Sequence, residues 1–232
     1  MSGDEFRGYE PIQPRPGVST KRTLERIGAA AVAIGAAALK FGLIFGKFFS
    51  FFLSAAAYSF WFHSWTFGVG LAVLILVHEL GHVLEARRQG LQVSWPMFIP
   101  FLGAYVTLNR SALTPYKNGL VSLAGPLVGS LGAAAVWAYG SAHGSEQLVV
   151  LANLGFVLNA FNLLPIGFLD GGHTLTAIRE TWRMPVIRFE GNVPVQALAP
   201  DRTRALALAG LYVVIAGGIV LAMLATRPNG ML

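Results

Sequence analysis

Apolar residues in this chain come in long blocks rather than in short alternating runs. The blocks are Leu24–Trp65, Thr66–Arg88, Lys117–Gly140, Gln147–Leu164 and Arg204–Thr226. A helix rises about 1.5 Å per residue and a bilayer core is about 30 Å thick, so roughly 20 apolar residues cross it. Each of the last four blocks therefore predicts one span. Leu24–Trp65 has length for one span plus an interfacial or re-entrant helix, or for two spans; its Ala-rich first part ends at Lys40, and a second apolar part follows Lys47. The pattern predicts an all-α polytopic membrane protein, a bundle of about five to six transmembrane helices. Residues 24–226 form its single transmembrane domain, between a flexible cytoplasmic tail (1–23) and a short tail (227–232).

The stretches between blocks have another pattern. Gly90–Leu108 reads GLQVSWPMFIPFLGAYVTL, where Pro96, Pro100 and Gly103 interrupt any helix. Val93, Trp95, Phe98 and Ile99, then Tyr105–Leu108, suit short extended segments, so a small membrane-edge β-hairpin or loop is expected. A free strand edge there can pair with an extended peptide; a lid or loop that touches no peptide fits the same residues. Thr174–Pro200, with Pro185, Pro194, Pro200 and several arginines, reads as a loop or a short helix followed by a linker. Met1–Thr23 carries Pro11, Pro14, Pro16 and Gly17 among mixed charges and shows no cleavable signal segment. Asn109-Arg110-Ser111 matches a glycosylation acceptor but falls on the expected cytoplasmic side.

One block is chemically unlike the others. Leu71–Arg88 reads LAVLILVHELGHVLEARR, with His78, Glu79 and His82 in apolar surroundings. An ionisable group inside a membrane costs about 2.5–3.5 kcal/mol, so it needs a partner or a task. HELGH fits H-E-x-x-H. Residues i and i+4 share a helix face, so both imidazoles can reach one metal ion, with Glu79 beside it as general base toward a bound water. The alternative is two packed histidines and a neutral glutamic acid, against which the cost of burial counts. Further on, LLPIGFLDGG puts Asp170 after Pro165, and Gly171 and Gly172 permit a tight turn that aims the carboxylate back into the bundle. Asp170 fits a third metal ligand, which two imidazoles leave wanting, and it also fits a helix N-cap. Glu85 is expected in an ion pair, His143 in solvent, and Gly125, Gly129 and Gly132 as a small-residue packing ridge.

Composition narrows the chemistry. The 232 residues are 54% hydrophobic and 12% charged, where soluble domains carry about 25% charged residues. There is no cysteine, so a tightly held metal must use His, Asp or Glu. The net charge of +6 does not call for nucleic acid, because cytoplasmic loops of membrane proteins collect Lys and Arg. If Thr66–Arg88 runs outside to inside, the N-terminal tail, the Arg87–Lys117 segment and the Thr174–Arg204 segment are cytoplasmic. With Arg26, just past the tail, counted in, they hold five, four and five basic residues, 14 of the 17 in the chain. The same topology brings Asp170 to the side of His78 and His82. It places the protein in the cell membrane, multi-pass, with its N-terminus and site opening cytoplasmic.

HELGH in a membrane helix, with LLPIGFLDGG about ninety residues later, resembles the site-2 protease family of intramembrane zinc metalloproteases. The likeness runs from about Trp65 to Arg179 and takes in SLAGPLVG at Ser122–Gly129. It implies one Zn2+ per chain held by His78, His82 and Asp170, Glu79 as the catalytic acid/base, and Asn162 and Pro165 near the bound substrate. His173 follows the motif directly and is expected as a plain loop histidine. The chain leaves no room for an inserted PDZ domain or an appended regulatory domain, which implies a small member. The implied reaction is peptide-bond hydrolysis in or near transmembrane segments of membrane proteins, with the lipid bilayer as surroundings and a regulatory partner compatible with it. Two other classes compete: an inactive membrane chaperone or binding protein on the same scaffold, and a metal transporter. Intact Glu79, His78 and His82 weigh against the first. Ionisable groups gathered at one point rather than along a path weigh against the second.

Overall fold

A computed structural model describes residues 20–94, 96–101, 103–105, 113–183, 186–190 and 193–227. Most of the expected tail 1–23 and all of the Asn109-Arg110-Ser111 sequon lie outside the described residues, as do Val106–Leu108 of the expected extended segment. The chain divides into two compact units, Met1–Ile44 and Phe45–Leu232, and helix α1 (Thr20–Phe62) contributes to both. In the first unit, the residues from Leu24 to Leu43 are helical and exposed. Leu24–Phe62 holds 39 apolar-rich residues in one helix, about twice what one crossing needs.

In the second unit, α1 ends at Phe62 and the chain turns through His63 into α2 (Trp65–Arg88). Ser64 caps α2 by accepting the Phe67 amide at 3.2 Å and also receives the Gln147 side chain. After α2 come strands β1 (Met97–Ile99) and β2 (Gly103–Tyr105), paired antiparallel with Phe98 opposite Ala104. The expected hairpin is therefore present. Ser50 of α1 accepts the Phe98 amide at 3.0 Å, which ties the ribbon to the helix. Helix α3 (Pro115–Ala142) has Thr114 as its cap and Pro115 in its first turn, where a missing N–H costs nothing. Helix α4 (Glu146–Asn162) stops at Leu163, two residues before Pro165. Helix α5 (Asp170–Arg183) follows, then strands β3 (Val186–Glu190) and β4 (Val193–Leu198), then α6 (Arg202–Ala225), capped by Asp201.

Among the described residues, α2, α3, α6 and the Leu24–Phe62 part of α1 are long and apolar enough to cross a membrane. Helix α4, at 17 residues, is about 26 Å long and falls short of a full core thickness. In the stretch after Asp170 the hairpin β3–β4 differs from the sequence expectation, which had a linker there. The Thr174–Pro200 stretch, read as a loop or short helix plus linker, is the body of α5 and the hairpin β3–β4. The sequence leaves α5 open between loop and helix because its buried stripe, Asp170, Thr174, Ala177 and Thr181, has helical spacing but little apolar character. Pro194 counted against a strand, yet in a two-stranded ribbon every strand is an edge and tolerates proline.

Helix α3 is central, packing on α2, α4, α5 and α6. One apolar cluster gathers Tyr58, Phe67, Leu71, Leu74, Leu151 and Phe156, and another gathers Leu123, Leu163, Ala177, Leu208, Ile215 and Ile219. The ridge Gly125, Gly129 and Gly132 faces α2, at His82, His78 and Val77 in turn. Gly81 of α2 answers it, since a Cβ there would lie 2.4 Å from the Ala124 carbonyl oxygen. The two backbones therefore touch beside the histidines, as small-residue packing in membranes allows.

Candidate metal centre

Helical spacing puts His78 and His82 on one face of α2, and α5 brings Asp170 up to them. Each of the three is less than a tenth exposed. The two Nε2 atoms lie 3.2 Å apart, and Asp170 Oδ2 is 3.2 Å from His78 Nε2 and 3.3 Å from His82 Nε2. Among the described residues these three form a group whose ligand atoms could hold one metal ion. Asp170 sits in the first turn of α5 rather than in a turn before it, where the helix dipole favours a carboxylate. As the carboxylate that an aspartate ordinarily is near neutral pH, it offers Oδ2 as an acceptor toward both imidazoles.

The outer nitrogens of the imidazoles are both engaged. His82 Nδ1 lies 2.8 Å from the Val121 carbonyl oxygen, and His78 Nδ1 lies 2.7 Å from Asn159 Oδ1. The Asn159 amide in turn donates to the Gly155 carbonyl at 2.8 Å, which sets which of its ends faces His78. Both Nδ1 atoms therefore donate, which in a neutral ring leaves Nε2 its lone pair.

The donor set suits zinc. A tetrahedral site with bonds of 2.0–2.1 Å has donor-to-donor edges of about 3.3–3.4 Å. The three observed edges are 3.2, 3.2 and 3.3 Å. Two lone pairs and a carboxylate converging in a buried site repel one another unless a cation lies between them. Three protein ligands also match the pattern of catalytic zinc sites, which keep a position open.

The centre lines a cavity of about 610 Å³. Glu79, Asn159, Asn162 and His173 contribute polar surface to it, and Tyr58, Leu71, Leu74, Ile75, Leu154 and Leu158 contribute apolar surface. Glu79 is buried beside His78. Asn162 donates to the Leu158 carbonyl at 3.2 Å and presents its side chain at the cavity. Pro165 is exposed in the α4–α5 loop, outside the cavity lining. His173 is not in a loop but one turn along α5 from Asp170, facing the same cavity. Glu85 is away from the centre, in a bidentate pair with Arg88 at 2.7 Å. His143 caps α3 in solvent, stacked on Tyr139. Sequence reading gave no role to Asn159, to the Val121 carbonyl or to Gly81. For Asn159 a signal existed, since an amide in an apolar helix needs a partner.

Residues 66–148 and 140–198 match the profile of peptidase family M50, and together they are more than half of the chain. This chain belongs to peptidase family M50. All the residues of the centre lie within the M50 match. A Mycobacterium tuberculosis relative, Rip3, is 33% identical over 172 residues, 67% of this chain and 42% of that protein. The Synechocystis protein sll0528 is 32% identical over 124 residues, 49% of this chain and 32% of that protein. The zinc metalloprotease MJ0392 of Methanocaldococcus jannaschii is 29% identical over 114 residues, 47% of this chain and 32% of that protein. The chain thus spans less than half the length of these relatives. No solved structure matches it.

Proposed function

We propose that this M50 chain is a zinc endopeptidase that cleaves membrane proteins within or near their transmembrane segments. The observation that carries the reading is the buried triangle of His78, His82 and Asp170 with zinc-like edges, lining one cavity with Glu79. Zinc bound by those three residues supplies a Lewis acid that polarises a carbonyl and lowers the pKa of water to about 7.

The chain's own residues do the rest. Glu79 carboxylate takes a proton from water as the water oxygen attacks the scissile carbonyl carbon. As the C–N bond breaks, the same carboxyl hands that proton to the leaving nitrogen and returns to its charged form. Val121 and Asn159 hold the imidazole rings while this happens. The substrate must be unwound, because a helical peptide has its amides already bonded. The β1–β2 ribbon offers a strand edge for the extended form. We assign Asn162 to the substrate backbone and Pro165 to the course of the loop beside it. The apolar side of the cavity, Leu71, Leu74, Ile75, Leu154 and Leu158, suits side chains from a transmembrane segment. From the placement of Lys and Arg we also propose that the N-terminus and the cavity mouth face the cytoplasm.

The test uses detergent-purified full chain and a fluorogenic single-span peptide. Wild type holds about one zinc per chain and cleaves. Glu79→Gln keeps its zinc and loses roughly 10²–10⁴-fold in rate, the usual share of a general base. Asp170→Ala loses the zinc. A zinc-loaded wild type that cleaves no membrane peptide would instead indicate the inactive binding protein.

A further inference from the structure

The two imidazoles of the centre are held in different ways. His82 is fixed by a main-chain oxygen, that of Val121, which no substitution removes. His78 depends on one side chain, Asn159. We infer that Asn159 is a positioning residue for the metal: its amide oxygen fixes the ring and tautomer of His78 so that Nε2 points at Asp170 and His82. The inference rests on the metal centre of the proposed function.

Three observations carry it. Asn159 Oδ1 lies 2.7 Å from His78 Nδ1, at the short end of the N–H···O range. The amide cannot turn over, because its nitrogen is committed to the Gly155 carbonyl at 2.8 Å. A flipped amide would set N–H against N–H at His78 and oxygen against oxygen at Gly155. Finally, the contact is closed in. Asn159 is 4% exposed, and α3 presses on it so closely that a Cβ at Gly129 would lie 2.5 Å from its Oδ1. Water has little room to take the place of the amide. Outer hydrogen bonds of this kind fix the tautomer of a metal-binding histidine and raise its basicity, and their loss costs 10–100-fold in metal affinity. Asn162, one turn further, bonds back to its own helix and faces the cavity. The two asparagines thus divide the work, one toward the metal and one toward the substrate.

The experiment measures zinc affinity by chelator competition on the full chain in detergent, together with the thermal midpoint of the metal-free protein. Asn159→Leu, nearly isosteric, is expected to weaken zinc by about 10–100-fold with the metal-free midpoint little changed. Asn159→Asp, which keeps an acceptor for Nδ1 but loses the donor to the Gly155 carbonyl, is expected to bind zinc more tightly than Asn159→Leu. Asn153→Leu is the control. Asn153 is a structural amide on the same helix, donating to the Met223 carbonyl and to Thr226, and its loss should lower the midpoint but leave zinc affinity alone. Wild-type affinity in Asn159→Leu overturns the inference. So does equal weakening in Asn153→Leu, or an Asn159→Asp variant as weak as Asn159→Leu. Asn159→Ala gives the same readout should the leucine variant not fold. If wild type itself binds no zinc, the metal centre falls and this inference with it. If wild type binds zinc and Asp170→Ala does not, a null result at Asn159 removes this inference alone.

Discussion

A methyl group at Gly125 would lie 2.2 Å from His82 Nε2 and 2.4 Å from its Cε1, against the imidazole ring itself. The HELGH motif therefore needs a residue on another helix to have no side chain. Gly132, two turns along the same ridge, meets Val77 Cγ1 at 2.9 Å and Leu74 Cδ2 at 3.8 Å, apolar side chains and neither of the two histidines. Gly125→Ala should thus abolish zinc binding, measured as zinc per chain after gel filtration, while Gly132→Ala should keep it. Equal retention in both would show that His82 can relocate. The glycine ridge was legible in the sequence as packing. That it also makes room for His78 and His82 was not, because which residue a glycine faces depends on how α3 is rotated against α2.

At the scale of elements, the α4–α5 junction places Asp170. Leu163 ends α4, and its carbonyl accepts the Tyr212 hydroxyl at 2.5 Å. The loop then folds back over the start of α5 so closely that a Cβ on Gly171 would lie 2.0 Å from the Leu163 carbonyl oxygen. One on Gly172 would lie 2.0 Å from that of Ile166. The two glycines serve close approach of the loop rather than a turn of their own. Backbone cannot yield as a side chain does, so Gly171→Ala should destabilise the chain by roughly 1–3 kcal/mol and displace Asp170, with loss of zinc. Tyr212→Phe removes one hydrogen bond, worth about 1 kcal/mol, and should retain zinc. Denaturant titration in mixed micelles together with metal analysis separates the two. The sequence carried a hint of the β3–β4 hairpin as well, the Gly191-Asn192 dipeptide between two runs of strand formers. Three prolines in the region outweighed it.

For the whole molecule the proposed topology has a direct test, because the chain has no cysteine. Ser141→Cys at the end of α3 and Arg183→Cys at the end of α5 are both exposed positions. In intact cells a membrane-impermeant maleimide should label Ser141→Cys, and should reach Arg183→Cys only after permeabilisation. The reverse pattern would invert the protein and move the cavity mouth to the outside.

The order of residues alone determined the membrane character, the break in helix at Gly90–Leu108 and the candidate chemistry. Each is a local property: run length against bilayer thickness, Pro and Gly in a short stretch, and i, i+4 spacing on one helix. The motif LDGG marked Asp170 as an acidic residue out of place. Tertiary structure alone decided the 3.2 and 3.3 Å edges that make three distant residues one donor set. It also decided that α5 is a helix, and which asparagine meets His78. Those outcomes depend on how α2, α3, α4 and α5 are rotated and spaced against one another. That arrangement comes from many weak contacts acting together, and no single stretch of sequence encodes it.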